Sequence, residues 1–113
     1  MPRIDTIGNN LKLDALFLGP SATQLSGIRK VTVSVNPASI NAGAVGTTAV
    51  TVAGVATGDM VHMEPPAALE TGLVPISAIV TNANEVTITL FNQTAAQIDG
   101  AARNWNLLVI ELN

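Results

Sequence analysis

Imidazole chemistry in this chain could be built around one residue only. His62 is the one histidine among 113 residues, and cysteine and tyrosine are both absent. That absence excludes thiol nucleophiles, thiolate metal sites and disulfides at once. A general acid–base site needs a tuned histidine or paired carboxylates in a pocket. His62 lies within Met60 to Glu64, a run that reads as a strand and puts it on one face with Met60 and Glu64. A groove or surface histidine hydrogen-bonded to a neighbour is the ordinary reading of that position. Ser34, Ser39 and Ser77 are the hydroxyls weighed beside it, and no Gly-x-Ser-x-Gly elbow exposes any of them. Asp59, Glu64, Glu70, Glu85 and Asp99 stand at least five positions apart, and neither a His-x-x-x-His pair nor a calcium-loop pattern occurs. The glycines at 43, 46, 54 and 58 fit no phosphate-binding fingerprint and read as turn glycines. The expectation is a protein that is not an enzyme and takes no cofactor and no metal.

The elements that would carry these residues are strands. Short β-branched runs bounded by Gly, Pro, Asn and Asp recur, whereas helical periodicity is scarce. Val31, Val33 and Val35 alternate with Thr32 and Ser34 up to Asn36-Pro37, and Val50 and Val52 alternate with Thr51 up to Gly54. Gly58-Asp59 turns into Met60 to Glu64, which Pro65-Pro66 ends because neither proline donates a ladder hydrogen bond. Residues 67 to 72 form a loop or helical turn stopped by Gly72. A strand follows from Leu73 to Val80, with Pro75 pointing to a sheet edge. After the turn Asn82-Ala83-Asn84 come Val86, Ile88 and Leu90 alternating with Thr87 and Thr89, the clearest period-two signal in the chain. Residues 92 to 104 are long enough to cross between sheets. The run Trp105 to Leu112 is apolar on both sides, so the expectation is a strand covered on both faces, by the fold or by a neighbouring subunit.

Six such strands predict an all-β chain, a small β-sandwich of Greek-key or jelly-roll type. The division expected is an extended N-terminal arm over residues 1–30, with one strand at Leu11 to Leu18, and a sandwich domain over 31–113. One domain is what a chain of this length supports.

Composition narrows the partners. Hydrophobic residues make up 48% of the chain and charged residues only 12%, where about 25% is usual. The net charge is −3, so an extended basic footprint on nucleic acid is not expected. Residues 1–30 hold Arg3, Lys12, Arg29 and Lys30 against Asp5 and Asp14, while 31–102 contain no cation and five acids. A mildly positive arm thus precedes a negative body. The cluster Leu11 to Leu18 is broken by Lys12 and Asp14, which argues against a secretory signal, and no apolar run is long enough for a membrane helix. Neither a membrane nor a nucleic acid is expected as partner. Asn92-Gln93-Thr94 matches a glycosylation sequon but, with no secretory signal, reads as a turn. Aromatics are 3%, namely Phe17, Phe91 and Trp105, too few for the stacked grooves of carbohydrate or single-strand readers. Trp105 opens an apolar strand and reads as a core or interface anchor. A neutral, small-residue surface favours close subunit packing, hence a homo-oligomer.

Several segments occur in a specific order: Ser39-Ile40-Asn41-Ala42-Gly43, Val50 to Asp59, Pro65-Pro66-Ala67-Ala68-Leu69-Glu70-Thr71-Gly72-Leu73, the Val86 to Leu90 strand, Asn92 to Asp99, and Trp105. With Gly-Asp before a strand ended by Pro-Pro and then Gly-Leu, the chain from about Ile40 to Ile110 resembles a small module of virion proteins of tailed bacteriophages. The resemblance implies a non-enzymatic capsid decoration or cement protein, commonly a homotrimer. Such a protein would be made in the host cytoplasm and bound to the major capsid protein on the capsid surface of the virion. The arm falls outside the shared module, and Arg3, Arg29 and Lys30 are its candidate contacts to acidic shell surface. Leu13, Leu16 and Phe17 would pack into a groove, and Trp105 completes the candidate interface. The alternative is a receptor-binding, glycan-binding module on the tail or fibre, using the loops 82–84 and 92–104.

Overall fold

The computed structural model describes residues 24–112 and, as backbone pairing alone, three short strands before them; side chains are described from residue 26 to residue 112. Those three are β1 (Asp5–Ile7), β2 (Asn10–Lys12) and β3 (Leu16–Phe17). β1 pairs with β2, and β3 pairs at Leu16↔Leu25 and Phe17↔Gln24 with β4 (Gln24–Val35). The body continues with β5 (Val45–Thr51), β6 (Met60–Glu64), β7 (Leu73–Asn82), β8 (Glu85–Asn92) and β9 (Arg103–Leu112). No helix occurs among the described residues.

The body is a sandwich-like pair of antiparallel sheets, one ordered β3-β4-β9-β6 and the other β5-β8-β7. β4 lies beside β5 along one flank and β6 beside β7 along the other. Between the sheets sits one apolar core. Val35, Trp105, Leu107 and Val109 come from the first sheet and Val50, Leu73, Val80, Val86, Ile88 and Leu90 from the second. Each such side chain contributes about 1.5–3 kcal/mol when fully removed from water. Period two explains the burial directly: in β8 the residues Val86, Ile88, Leu90 and Asn92 point inward while Glu85, Thr87, Thr89 and Phe91 point out.

Met60–Glu64 forms the strand expected of it, and Pro75 lies on β7, an edge strand with a bulge between Pro75 and Ser77. The connection after β8 does cross from one sheet to the other. β4 differs from expectation by starting at Gln24 instead of Val31. The cause is tertiary: β9 pairs with it from Leu25↔Leu112 to Val35↔Arg103, so Gly27, Arg29 and Lys30 are drawn into a ladder that local propensity does not mark. β9 differs too. It is central in its sheet, with Trp105, Leu107 and Val109 buried, yet no second layer of described residues lies over its other face and Leu108 is 39% exposed.

Glycine is required where two backbones or side chains close in. A Cβ on Gly46 would come within 2.7 Å of Ile40 Cγ1, which lies over it. Gly72 has φ +98° at the entry to β7, and a side chain there would run into Thr94.

Candidate functional site

The outer face of the four-stranded sheet is assembled by register. Antiparallel pairing lines up Ile28 with Ile110 and Met60 in one row, Lys30 with Leu108 and His62 in the next, and Thr32 with Asn106 and Glu64 in the third. Ile28 and Met60 are each 59% exposed, so the row beside Leu108 and Ile110 is an apolar strip open to solvent. Lys30 stands on β4 and Glu64 on β6, at opposite edges of that strip. Lys30, His62, Glu64, Asn106, Leu107 and Leu108 line a shallow groove of about 210 Å³. Thr32 Oγ1 donates to Asn106 Oδ1 (2.8 Å) and Asn106 Nδ2 to Glu64 Oε1 (3.0 Å), which links the third row across all three strands. Among the described residues neither Lys30 nor Glu64 has an ion-pair partner.

The other sheet presents a face of different character. Phe91 pairs with Val45 and Val74, Thr89 with Thr47 and Ser77, and Thr87 with Ala49 and Ile79. Val45, Val74, Ile76 and Ile79 are exposed there, among threonines and without a cation. A third feature is an open groove of about 540 Å³ on the β4–β5 flank, lined by Thr32, Val33, Ser34 and Asn36 on one side and Thr48 to Thr51 on the other.

Of the residues singled out in the sequence, Arg3 and Leu13 lie outside the described residues, as do the side chains of Leu16 and Phe17. Arg29 lies on the inward-facing side of β4, where its side chain is tied to its own chain while staying 37% exposed. Its Nε donates to Glu111 Oε1 (2.9 Å), and its Nη2 donates to the Ala53 carbonyl in the loop after β5. Lys30, its neighbour, turns outward into the groove. Trp105 is 1% exposed and belongs to the core, with its indole N–H unpartnered among the described residues. Lys30 is therefore the one of these residues that the structure places on open surface next to apolar side chains.

His62 is exposed on the same outer face as Lys30. The serines weighed beside it are dispersed: Ser34 lies opposite Asn104, beyond the end of β6, Ser77 is on the outer face of the other sheet, and Ser39 is in a loop. Most of the carboxylates answer local donors. Asp59 accepts from the Ala56 and Leu112 N–H groups, Glu70 from Ala101 N–H and Arg103, and Glu85 from Thr81 and Asn82. The Arg103 guanidinium on Glu70 is the main reason that carboxyl is held below the usual carboxylate range. Among the described residues no three acids or histidines converge, and no helix there is long and apolar enough to cross a membrane.

Asn92 is a structural residue and not a glycan acceptor in the folded chain. It is 0% exposed; its Nδ2 donates to the Ile40 and Ala96 carbonyls (2.9 and 2.8 Å), and its Oδ1 accepts from the Thr94 N–H and hydroxyl (2.9 and 2.7 Å). The sequence signal missed is the apolar strip itself. Leu108 and Ile110 were visible as a second apolar side of β9, but Ile28 and Met60 join them only through pairing.

Compared with protein families, curated proteins and solved structures, the chain matches none.

Proposed function

We propose that this chain is a non-enzymatic virion structural protein, a decoration or cement protein that binds the major capsid protein on the outer surface of a tailed-phage head. The reading starts from the resemblance over Ile40 to Ile110. One structural observation supports it: both outer faces of a small, weakly charged sandwich display exposed aliphatic side chains, Ile28 and Met60 on one and Val45, Ile76 and Ile79 on the other. Apolar patches on both sides of a small body mark interaction surfaces, and two faces let one subunit contact two neighbours. Binding to the assembled shell and not to its dissociated parts stabilises the shell by mass action. We read the topology as Greek-key type, since β9, β6, β7 and β8 follow one another around the sandwich, with β6 and β7 adjacent across its flank.

The test is the copy number of this chain against the major capsid protein in purified particles, by quantitative mass spectrometry. A ratio near one, or a simple fraction of it, is the expected result. A handful of copies per particle would move the protein to the tail or fibre, and absence from particles would overturn both assignments.

A further inference from the structure

The outer face of the four-stranded sheet is patterned so that it complements itself. Three of its strands present matched rows: Ile28–Ile110–Met60, Lys30–Leu108–His62 and Thr32–Asn106–Glu64. The middle strand supplies Leu108 and Ile110, the flanking strands supply exposed Ile28 and Met60, and the charges are split, with Lys30 on the β4 side and Glu64 on the β6 side. A partner that satisfies both edges must present an anion opposite β4 and a cation opposite β6, with apolar side chains between.

A second copy of the same face does this in one orientation. Turned about a two-fold axis running along β9, the copy lays its β6 over β4 and its β4 over β6. Ile28 then meets Met60 of the other copy, and Lys30 meets His62 with Glu64 one pair further along, a spacing of about 7 Å that a lysine side chain spans. A two-fold running across the strands through Leu108 would instead set Lys30 directly against Lys30 of the other copy and carry Glu64 away from it, which like-charge repulsion disfavours. The first arrangement is also the aligned way in which two sheets stack, side chains interleaving about 10 Å apart. It covers Leu108 and Ile110, the apolar half of the outer side of β9, where Leu108 is 39% exposed.

We propose that two copies of this chain associate face to face through the outer surface of the four-stranded sheet, about a two-fold axis parallel to β9, with Leu108 and Ile110 central and Lys30 and Glu64 paired across the contact. The contact is isologous, each residue being used twice. It does not depend on the virion assignment, because the self-complementarity is a property of the face alone.

The experiment is sedimentation equilibrium on the full chain over a wide range of protein concentration, for the wild type and three variants. The wild type is expected to show a reversible monomer–dimer equilibrium. Lys30→Glu should weaken it about tenfold or more, since it places like charges across the contact. Leu108→Ser should abolish it, and the exchange Lys30→Glu/Glu64→Lys should restore dimerisation to within a few-fold of the wild type. Urea midpoints for all variants separate lost association from lost folding, and Lys30 and Glu64 are exposed enough that their exchange leaves the monomer folded. A wild type that is monomeric throughout would overturn the proposal. So would a trimer or larger assembly, a dimer indifferent to Lys30→Glu and Leu108→Ser, or an exchange variant no better than Lys30→Glu. Each of these results leaves the particle copy number, and hence the virion reading, to be decided separately.

Discussion

Arg103 donates from Nε to Oε1 of Glu70 across 2.8 Å, joining the first residue of β9 to the loop between β6 and β7. The same carboxylate accepts the Ala101 N–H through its other oxygen (3.1 Å), so Glu70 holds both the side chain and the approach of the strand that enters the core at Trp105. Both partners are only partly exposed.

This pair sets an acid sensitivity. Because the folded carboxyl is held below its ordinary value, the stabilisation is fully present above the unfolded pKa and is lost as pH falls through the folded one. Urea midpoints measured from neutral pH down into the acid range should therefore fall more steeply for the wild type than for Glu70→Gln. At neutral pH, Glu70→Gln and Arg103→Ala should each cost about 1 kcal/mol.

Removing the Asn92 amide should cost far more than removing an exposed one. Asn92→Ala removes four hydrogen bonds, three that hold the loop between β8 and β9 and one to the Ile40 carbonyl, which is left with the Ile98 N–H alone. A loss of about 2–4 kcal/mol is expected in chemical denaturation. Asn84→Gly, which removes an exposed acceptor for the Gly54 N–H at a φ of +63° that glycine tolerates, should cost about 1 kcal/mol or less.

Gly72→Ala should destabilise the chain by about 2 kcal/mol or more, because a left-handed backbone and a collision with Thr94 act together. The double variant Gly72→Ala/Thr94→Ser removes the methyl in the way and should recover part of that loss. No recovery would mean that backbone strain alone accounts for it.

Trp105 is the sole tryptophan, so intrinsic fluorescence reports one site. Burial at 1% exposure calls for emission at short wavelength in the folded chain and a large red shift on unfolding. Iodide should quench it weakly before the transition and strongly after. Strong quenching in the folded state would contradict the core described above.

How much of this was legible in the sequence depended on whether the cause was local. Met60 to Glu64 and Val86 to Leu90 announce themselves because alternation and bounding turns lie within a few residues, and Pro75 indicates an edge because it lacks a donor. Arg29 and Lys30 read alike in sequence, as two adjacent cations before the first clear valine alternation. Only the ladder with β9 turns one inward onto Glu111 and the other outward beside Leu108. The apolar strip was half legible for the same reason. Its β9 members follow from period two, whereas Ile28 and Met60 are placed beside them by partners about 50 or more positions away, which no local pattern encodes.

The strand order carries a cost in time. From β4 onward only β7 and β8 are joined by a tight hairpin, and each other pair of successive strands is divided between the two sheets. Among the described strands, β4 and β6 both pair with β9, and the short β3 is the one earlier partner of either. During synthesis, therefore, the β7–β8 hairpin can close early and recruit β5, while β4 and β6 wait with unpaired edges until β9 emerges. The four-stranded sheet cannot be completed before β9 is made, and until then its apolar residues stand open to other chains.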